Sequence, residues 1–265
     1  MERDTRGIVD PDTLLTAVRF RRHEPAPPLR PYVENYWFID WDLPAPYASH
    51  VVPHPAVNLT FQWEEADGPP YGELTGVWAP GLYTRKIGGR GRVCGVKFRP
   101  GMFRPFAPDR PVSAWTGRVL PYADVFPATD PAAVLTPAAD HDRAAALDAY
   151  LLPLVPAAPD PQAELARGLV ARIRAERGVR RVAGLAADGG MSVRSLQRLF
   201  AAYVGVSPKW CVLRYRIHEA VEAAAHRDAV DWAALAADLG YADQAHLVRD
   251  FTSTVGMPPT SYPTG

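Results

Sequence analysis

The sequence predicts an α+β protein in which a β-rich barrel or sandwich is followed by an all-α domain of two helix-turn-helix units joined by a long helix. Three observations carry this prediction. Short aromatic and β-branched runs alternate with Gly- and Pro-rich turns up to about residue 127. Helical periodicity begins at about residue 140, and an internal repeat occupies the last part of the chain.

The chain has the composition of a soluble globular protein. Of its 265 residues, 48% are hydrophobic and 22% are charged, and the formal net charge is zero. No apolar run approaches the ~20 residues of a membrane helix and the first residues are polar, so we expect a cytoplasmic protein without a membrane partner. Cys94 and Cys211 lie far apart, which predicts two buried thiols and neither a disulfide framework nor a cysteine metal site.

Four apolar runs in the first part of the chain predict strands. The Gly and Pro clusters between them suit turns, and strands at this spacing favour a sandwich or a barrel. We expect a hairpin turn at residues 88–91, where the sequence is Gly-Gly-Arg-Gly. The strands are predicted at residues 32–41, 56–63, 74–78 and 91–98.

A Pro-rich segment separates the two parts of the chain. Four prolines fall within residues 153–161, after a helical stripe that ends near Leu152. Asp160 is the expected N-cap of the next helix and Pro161 its first residue. The predicted organisation is a β-rich sensor or dimerisation domain with a C-terminal helix over residues 1–152, a linker over residues 153–161 and a helical domain over residues 162–265.

The helical domain contains two copies of one unit. Residues 185–190 are echoed by residues 235–240, and after one inserted residue Phe200 corresponds to Phe251. Each copy predicts a short helix that ends at a left-handed glycine, followed by a second helix with its own N-cap. The glycine and the N-cap are Gly190 and Ser192 in the first copy, and Gly240 and Asp243 in the second.

The second helix of each copy has an apolar face and an outward face. The inward residues are expected to be Val193, Leu196, Phe200 and Val204 in the first copy and Leu247 and Phe251 in the second. The outward residues are Arg194, Gln197 and Arg198 in the first copy and Ala245, His246 and Arg249 in the second. Arginine, glutamine and histidine can hydrogen-bond to base edges in the major groove of DNA.

The segment between the two copies predicts a rigid spacer. Residues 209–226 contain neither Gly nor Pro, which allows a helix of about 27 Å, close to one DNA turn of about 34 Å. Between Met191 and Arg216 the chain has five basic residues and no acidic one, despite its zero net charge. This run is a candidate surface for DNA phosphates.

Three segments of the helical domain resemble the AraC/XylS family of bacterial regulators: residues 191–200, 240–251 and 256–262. The resemblance extends from about Val179 to Tyr262 and implies two helix-turn-helix units that bind DNA. It implies base contacts by Arg194, Gln197, Arg198, Ala245, His246 and Arg249. Because Ala245 stands where relatives often have a polar residue, we expect fewer base contacts from the second unit. Contacts with the DNA backbone are expected from Ser192, Ser195, Lys209, Arg214, Arg216, Asp243 and Gln244.

The first half is similar to the β-rich sensor domains of such regulators, most clearly at residues 30–37 and 95–101. Four aromatic residues are candidates for a ligand pocket, with simple core packing as the alternative: Tyr36, Trp37, Trp63 and Trp78. His50 and His54 are four residues apart, but the prolines beside His54 argue against a helical metal site. We therefore expect no cofactor, no metal and no catalytic residue.

The sequence predicts a DNA-binding transcriptional regulator, with activation as the expected outcome and repression as the alternative. Its expected partners are double-stranded promoter DNA and RNA polymerase, with a small-molecule effector and a second copy of the chain as further candidates. A competing hypothesis is a catalytic or ligand-carrying barrel fused to a DNA-binding tail. In a third, the first half has no effector and serves as a dimerisation surface.

Overall fold

A computed structural model describes residues 7–176, 181–226 and 230–262, and within these ranges it leaves out the side chain of His226. The predicted start of the family resemblance, Val179, lies outside the described residues, as do residues 1–6 and 263–265 at the outer ends of the two predicted domains.

The N-terminal half is built on one antiparallel sheet of seven strands. The strand order is β1-β3-β6-β4-β5-β7, and β2 pairs with residues 36–40 in the first half of β3. The β-rich first half is therefore confirmed, and the sheet is curved but not closed. The strands are β1 (Ile8–Val9), β2 (Arg19–His23), β3 (Val33–Val51), β4 (Asn58–Glu64), β5 (Tyr71–Thr75), β6 (Tyr83–Phe98) and β7 (Val119–Pro121).

Strands β3 and β6 form a long pair with an irregularity near its middle. The register shifts between Leu43 and Tyr47, where Pro44 and Pro46 need no amide hydrogen for pairing. Residues 88–91 lie on β6 opposite and beside this irregularity, so the predicted hairpin turn at these residues is wrong. The glycines allow the strand pair to change direction there, and the segments on both sides line one cavity.

Nine α-helices accompany the sheet within the described ranges. Asp160 caps α4 by accepting from the amides of Gln162 and Ala163, which confirms the predicted start of this helix. None of the described helices is both long and apolar enough to cross a membrane. The helices are α1 (Pro11–Ala17), α2 (Pro131–Leu135), α3 (Asp140–Leu151), α4 (Pro161–Ala175), α5 (Val182–Asp188), α6 (Val193–Tyr203), α7 (Pro208–His226), α8 (Trp232–Asp238) and α9 (Gln244–Val255).

The two helix-turn-helix units, α5–α6 and α8–α9, have the same turn. Gly190 and Gly240 adopt left-handed φ values of 64° and 75°, as predicted. In both turns the residue after this glycine donates its amide hydrogen to the carbonyl five residues earlier, which ends the first helix in a Schellman motif. These bonds join Met191 N to Ala186 O at 3.0 Å and Tyr241 N to Ala236 O at 2.8 Å.

The two halves of the chain pack on each other. The larger hydrophobic core runs from Leu29 in the sheet to Tyr215 in α7 and includes Cys94 and Cys211, whose predicted burial is confirmed. A smaller core joins α7, α8 and α9 to Val9 and Val52 of the N-terminal half. The helix-turn-helix units therefore pack against the N-terminal half, while the predicted division at residues 153–161 stays a prediction.

Candidate nucleic-acid interface and ligand cavity

Helix α6 presents the first candidate DNA-reading surface. Ser192 caps it by accepting from the amide of Ser195 at 3.1 Å, which confirms the predicted N-cap. Arg194, Gln197 and Arg198 are exposed, whereas the apolar residues at its centre are buried. Val193 was expected to face inward but is 39% exposed, because it is the first residue of the helix and lies beyond the core contact. Leu196, Phe200 and Val204 are buried as predicted.

Helix α9 presents the equivalent surface in the second unit. Asp243 caps it by accepting from the amide of His246 at 2.7 Å. Ala245 and Arg249 are exposed, and so is Gln244 at the start of the helix. The ring of His246 is half exposed and lies edge-on to Tyr241, with Nε2 3.7 Å from a carboxylate oxygen of Asp250. Leu247 and Phe251 have no exposed surface, as predicted.

The residues predicted for phosphate contact do not share one surface. Lys209 is exposed at the start of α7, and Ser195 is partly exposed beside Ser192. Arg216 is partly buried, with its guanidinium 5.4 Å from the centre of the Tyr241 ring. Lys209 is thus the best placed of the predicted α7 residues for a phosphate.

Arg214 does not fit its predicted phosphate contact. Its residue surface is 5% exposed, and its guanidinium lies 4.4 Å from the centre of the Trp210 ring. Burial lowers the pKa of Arg214 to about 10, and its Nη1 atom has no hydrogen-bond partner among the described residues. Arg214 lies one helical turn before His218, on the α7 face that meets residues 53–54 of the N-terminal half. Arg214 is therefore buried on the face of α7 that packs against the N-terminal half.

A cavity of about 240 Å³ lies inside the curved sheet of the N-terminal half. Strand β1 and helix α1 contribute Ile8 and Leu14 to one wall, and the turn before β6 contributes Trp78. The opposite wall is the concave face of the central strands, where the indole of Trp37 packs across Gly95 of the neighbouring strand. Such a concave, aromatic-lined space is typical of a small-molecule site.

Two of the four predicted pocket residues line this cavity. Trp37 and Trp78 do, whereas Tyr36 and Trp63 do not. Successive side chains of a strand point to opposite faces, so the neighbour of Trp37 must face the other way. Tyr36 is fully buried there and donates to Asp148 Oδ1 of α3 at 2.7 Å. Trp63 lies beside Arg92 on an open surface groove.

The polar residues of the cavity were missed at the sequence level. They come from several strands and approach one another through the register: Asn35 pairs with Lys97, and Lys97 pairs with Asn58. Along β4 a period-two alternation of polar and apolar residues is a signal that predicts one polar face. The alternating residues are Asn58, Leu59, Thr60, Phe61 and Gln62.

Neither histidine of the predicted metal alternative contributes to a metal cluster within the described residues. His50 Nδ1 lies 2.9 Å from the hydroxyl of Thr84, across the β3–β6 pair. His54 lines the cavity and stacks on His218 of α7, with ring centroids 4.0 Å apart and planes inclined by 10°. His54 therefore joins the cavity wall to the helix between the two helix-turn-helix units.

His218 is held as a neutral ring at this contact. Its Nε2–H donates to the carbonyl of Pro53 at 3.3 Å. Burial, together with the nearby positive charges of Arg214, Lys97 and Arg174, lowers the pKa of His218 to about 3. A charged ring at this place would be buried among cations, so the contact depends on the neutral form.

Two family models match the chain. Residues 185–264 match a family described as a helix-turn-helix domain, and residues 21–121 match a domain of unknown function (DUF6597). No curated protein sequence has a significant similarity to the chain. The match over residues 185–264 agrees with the two equivalent turns and recognition helices described above.

Several solved structures of ToxT from Vibrio cholerae are similar to this chain. One in a P21 crystal form is 9% identical, with 93% of this chain and 97% of that chain covered and a TM-score of 0.45. ToxT from strain O395 bound to (E)-4-(8-methylnaphthalen-1-yl)but-3-enoic acid is also 9% identical, with 93% and 98% covered and a TM-score of 0.44.

Proposed function

We propose that this chain is a DNA-binding transcriptional regulator controlled by a small molecule, which binds in the cavity of its N-terminal half. The DNA-binding role follows from the AraC-type helix-turn-helix domain at its C-terminus. The proposal assigns DNA reading to α6 and α9 and effector binding to the concave face of the sheet. It gives the cavity a binding role rather than a catalytic one.

The proposed base contacts follow from exposure and residue type. Arginine can donate two hydrogen bonds to guanine, and glutamine can pair with adenine in the major groove. Helix α7 has 19 residues and hence a length of about 28 Å. Because this length is close to one turn of DNA, about 34 Å, α7 can hold α6 and α9 at successive segments of the major groove. The proposed base-contacting residues are Arg194, Gln197 and Arg198 on α6 and Ala245, His246 and Arg249 on α9.

The observation that best supports effector control is the stacking of His54 on His218. A ligand in the cavity contacts the wall to which His54 belongs, and His218 lies on the helix that spaces the two reading units. An effector changes the DNA-competent population only through a difference in its affinity for the two arrangements. If His54 moves when the ligand binds, the ligand has different affinities for the arrangements with and without this movement. RNA polymerase and a second copy of the chain stay predicted partners.

Arg198→Ala and Arg249→Ala are each expected to blur one part of the DNA motif that the wild-type chain selects from a randomised DNA pool. Each substitution removes a candidate bidentate contact to a base, which is worth about 1–3 kcal/mol of discrimination. The measurement is selection and sequencing of bound DNA at one fixed salt concentration.

Arg110→Ala is the matched control for this experiment, because Arg110 is an exposed arginine of the N-terminal half. It should leave the motif unchanged. If both recognition-helix variants select the wild-type motif with equal sharpness, Arg198 and Arg249 do not read bases and the assignment is wrong.

Lys209→Ala is expected to weaken DNA binding about equally for all sequences and to reduce the slope of log affinity against log salt by about one. The reason is the loss of one phosphate contact by an exposed cation at the start of α7. Arg214→Met should leave this slope unchanged, because Arg214 is buried in the packing between the halves. Equal slope changes in the two variants would mean that Arg214 leaves its buried position when the protein binds DNA.

A further inference from the structure

We infer that the ligand of the N-terminal cavity is a small organic acid with an apolar, ring-sized body, whose acidic group binds Lys97 and Asn35. This inference rests on the proposed function, which assigns the cavity to an effector, and it names the chemical class of that effector.

The cavity sets the size and the character of the ligand body. An apolar cavity of about 150 Å³ accommodates benzene, so the 240 Å³ found here suits a molecule of roughly 10–15 non-hydrogen atoms. Trp37, Trp78 and Tyr83 give aromatic surfaces, Trp78 and Tyr83 meeting edge-on with ring centroids 5.4 Å apart, and Ile39 and Val93 add apolar surface from the sheet. A ring or a short ring-bearing chain can contact several of these surfaces at once.

The polar groups at one end of the cavity are already paired with one another. Gln62 donates to Glu73 at 2.6 Å, and Arg85 donates to Glu64 at 2.5 Å and to the hydroxyl of Tyr71 at 3.0 Å. These pairs give Gln62, Glu73 and Arg85 hydrogen-bond partners without a ligand. A ligand head group is therefore better placed elsewhere along the sheet.

Asn35 and Lys97 form the polar site that is incomplete. They are register partners on adjacent strands, so their side chains lie side by side on the cavity face. The Oδ1 atom of Asn35 is buried and has no hydrogen-bond partner among the described residues. An amide can rotate to present its N–H donors instead, so Asn35 can donate to an anion that lies against Lys97.

The ion pairs around Lys97 leave it short of negative charge. Glu34 accepts from Lys97 at 3.1 Å and also pairs with Arg174 of α4 at 3.4 Å, so one carboxylate is shared by two cations. Burial lowers the pKa of Lys97, the positive charges of Arg22 and Arg174 lower it further, and Glu34 offsets these effects only in part. Burial raises the pKa of Glu34, but Lys97 and Arg174 together hold it below its ordinary value. A second anion beside Lys97 would redress this imbalance.

The same pairs would transmit binding to the DNA-binding half. An acidic group on Lys97 competes with Glu34 for the ammonium protons, and Glu34 in turn holds Arg174. Arg174 lies near the end of α4, the helix that precedes the first helix-turn-helix unit. The charge of the head group, rather than the ligand body alone, is thus what α4 would detect.

Three probes with one body test the inference: 4-phenylbutanoate, 4-phenylbutanamide and 4-phenylbutylamine, titrated calorimetrically into the full-length protein at neutral pH. We expect the carboxylate to bind at least about tenfold more tightly than the amide, and the amine to bind most weakly. In the Lys97→Met variant the carboxylate and the amide should bind about equally tightly. Lys86→Met, an exposed lysine on the same strand, should retain it.

Glu34→Gln is a second variant, which keeps the test open if Lys97→Met does not fold. Removal of the competing carboxylate should make 4-phenylbutanoate bind several-fold more tightly. Equal binding of the three probes, a preference for the amine, or binding of none of them would overturn the inference.

A DNA-binding arm separates the inference from the proposed function. The affinity of the full chain for its selected motif is measured with and without saturating 4-phenylbutanoate. Selective carboxylate binding with unchanged DNA affinity would support the head-group assignment and contradict effector control. If 4-phenylbutanamide changes the DNA affinity as much as 4-phenylbutanoate does, effector control stands. The role of the acidic group is then overturned.

Discussion

Phe251→Ala is expected to destabilise the second helix-turn-helix unit by about 3–5 kcal/mol, the range for truncation of a buried phenylalanine. The ring has no exposed surface and belongs to the smaller core, which joins α8 and α9 to α7. It lies against Trp232 and Tyr262, with ring centroids 6.2 Å and 5.9 Å away. Such a loss is comparable with much of the total stability of an ordinary domain.

The smaller core is separate from the one that contains Phe200, so the effect should be local. We expect the second unit to open below the main unfolding transition and the second part of the DNA motif to disappear, while the first part is retained. Urea unfolding followed by circular dichroism measures the first result, and DNA selection the second.

Leu152→Ala is the control for the stability measurement. Leu152 is 39% exposed, and surface substitutions usually change stability by no more than about 0.5 kcal/mol. If Phe251→Ala costs no more than Leu152→Ala, the ring does not hold the second unit together, and the smaller core is wrongly assigned.

Gly205→Ala is expected to cost about 2–5 kcal/mol of unfolding free energy, and Gly256→Ala about 1–2 kcal/mol. The two glycines are equivalent in the repeat and have left-handed φ values of 92° and 80°, so alanine is strained at both. A Cβ on Gly256 meets no atom within 4 Å, whereas one on Gly205 lies 2.9 Å from Val112 and 3.1 Å from Thr116 of the N-terminal half. Overpacking adds about 1–3 kcal/mol at Gly205.

The difference between these two variants measures the contact between the halves, because the backbone strain is common to both. Thr116 also donates its hydroxyl hydrogen to the carbonyl of Gly205 at 2.6 Å. Equal losses of stability, measured by urea unfolding under one set of conditions, would show that the first unit does not pack on the N-terminal half in solution.

The internal repeat, the caps and the recognition helices were accessible to sequence reasoning because their signals are local. A left-handed glycine, an N-cap and an apolar stripe are set by residues within one or two helical turns of one another. Asp160, Ser192 and Asp243 therefore cap the helices that were predicted, and the outward arginines of α6 and α9 are exposed. Composition likewise predicted that Cys94 and Cys211 are buried.

The errors concern which face of an element meets another part of the chain. Aromatic content identified Tyr36 and Trp63 as pocket candidates, but the strand register turns Tyr36 away from the cavity and places Trp63 on a groove. The glycines at residues 88–91 predicted a turn, whereas pairing with β3 draws them into a bent strand. Charge predicted a phosphate contact for Arg214, which is buried on α7 with its guanidinium against the ring of Trp210.

The amino-acid order alone thus establishes the two helix-turn-helix units, since short-range hydrogen bonds and helical periodicity define them. The cavity, the pairing of Asn35 with Lys97 and the stacking of His54 on His218 depend on segments that are distant in sequence. Their contacts exist only after the sheet has curved and the helices have packed on it. A small difference in register or packing would move each of these side chains to another surface, so these features belong to the tertiary structure.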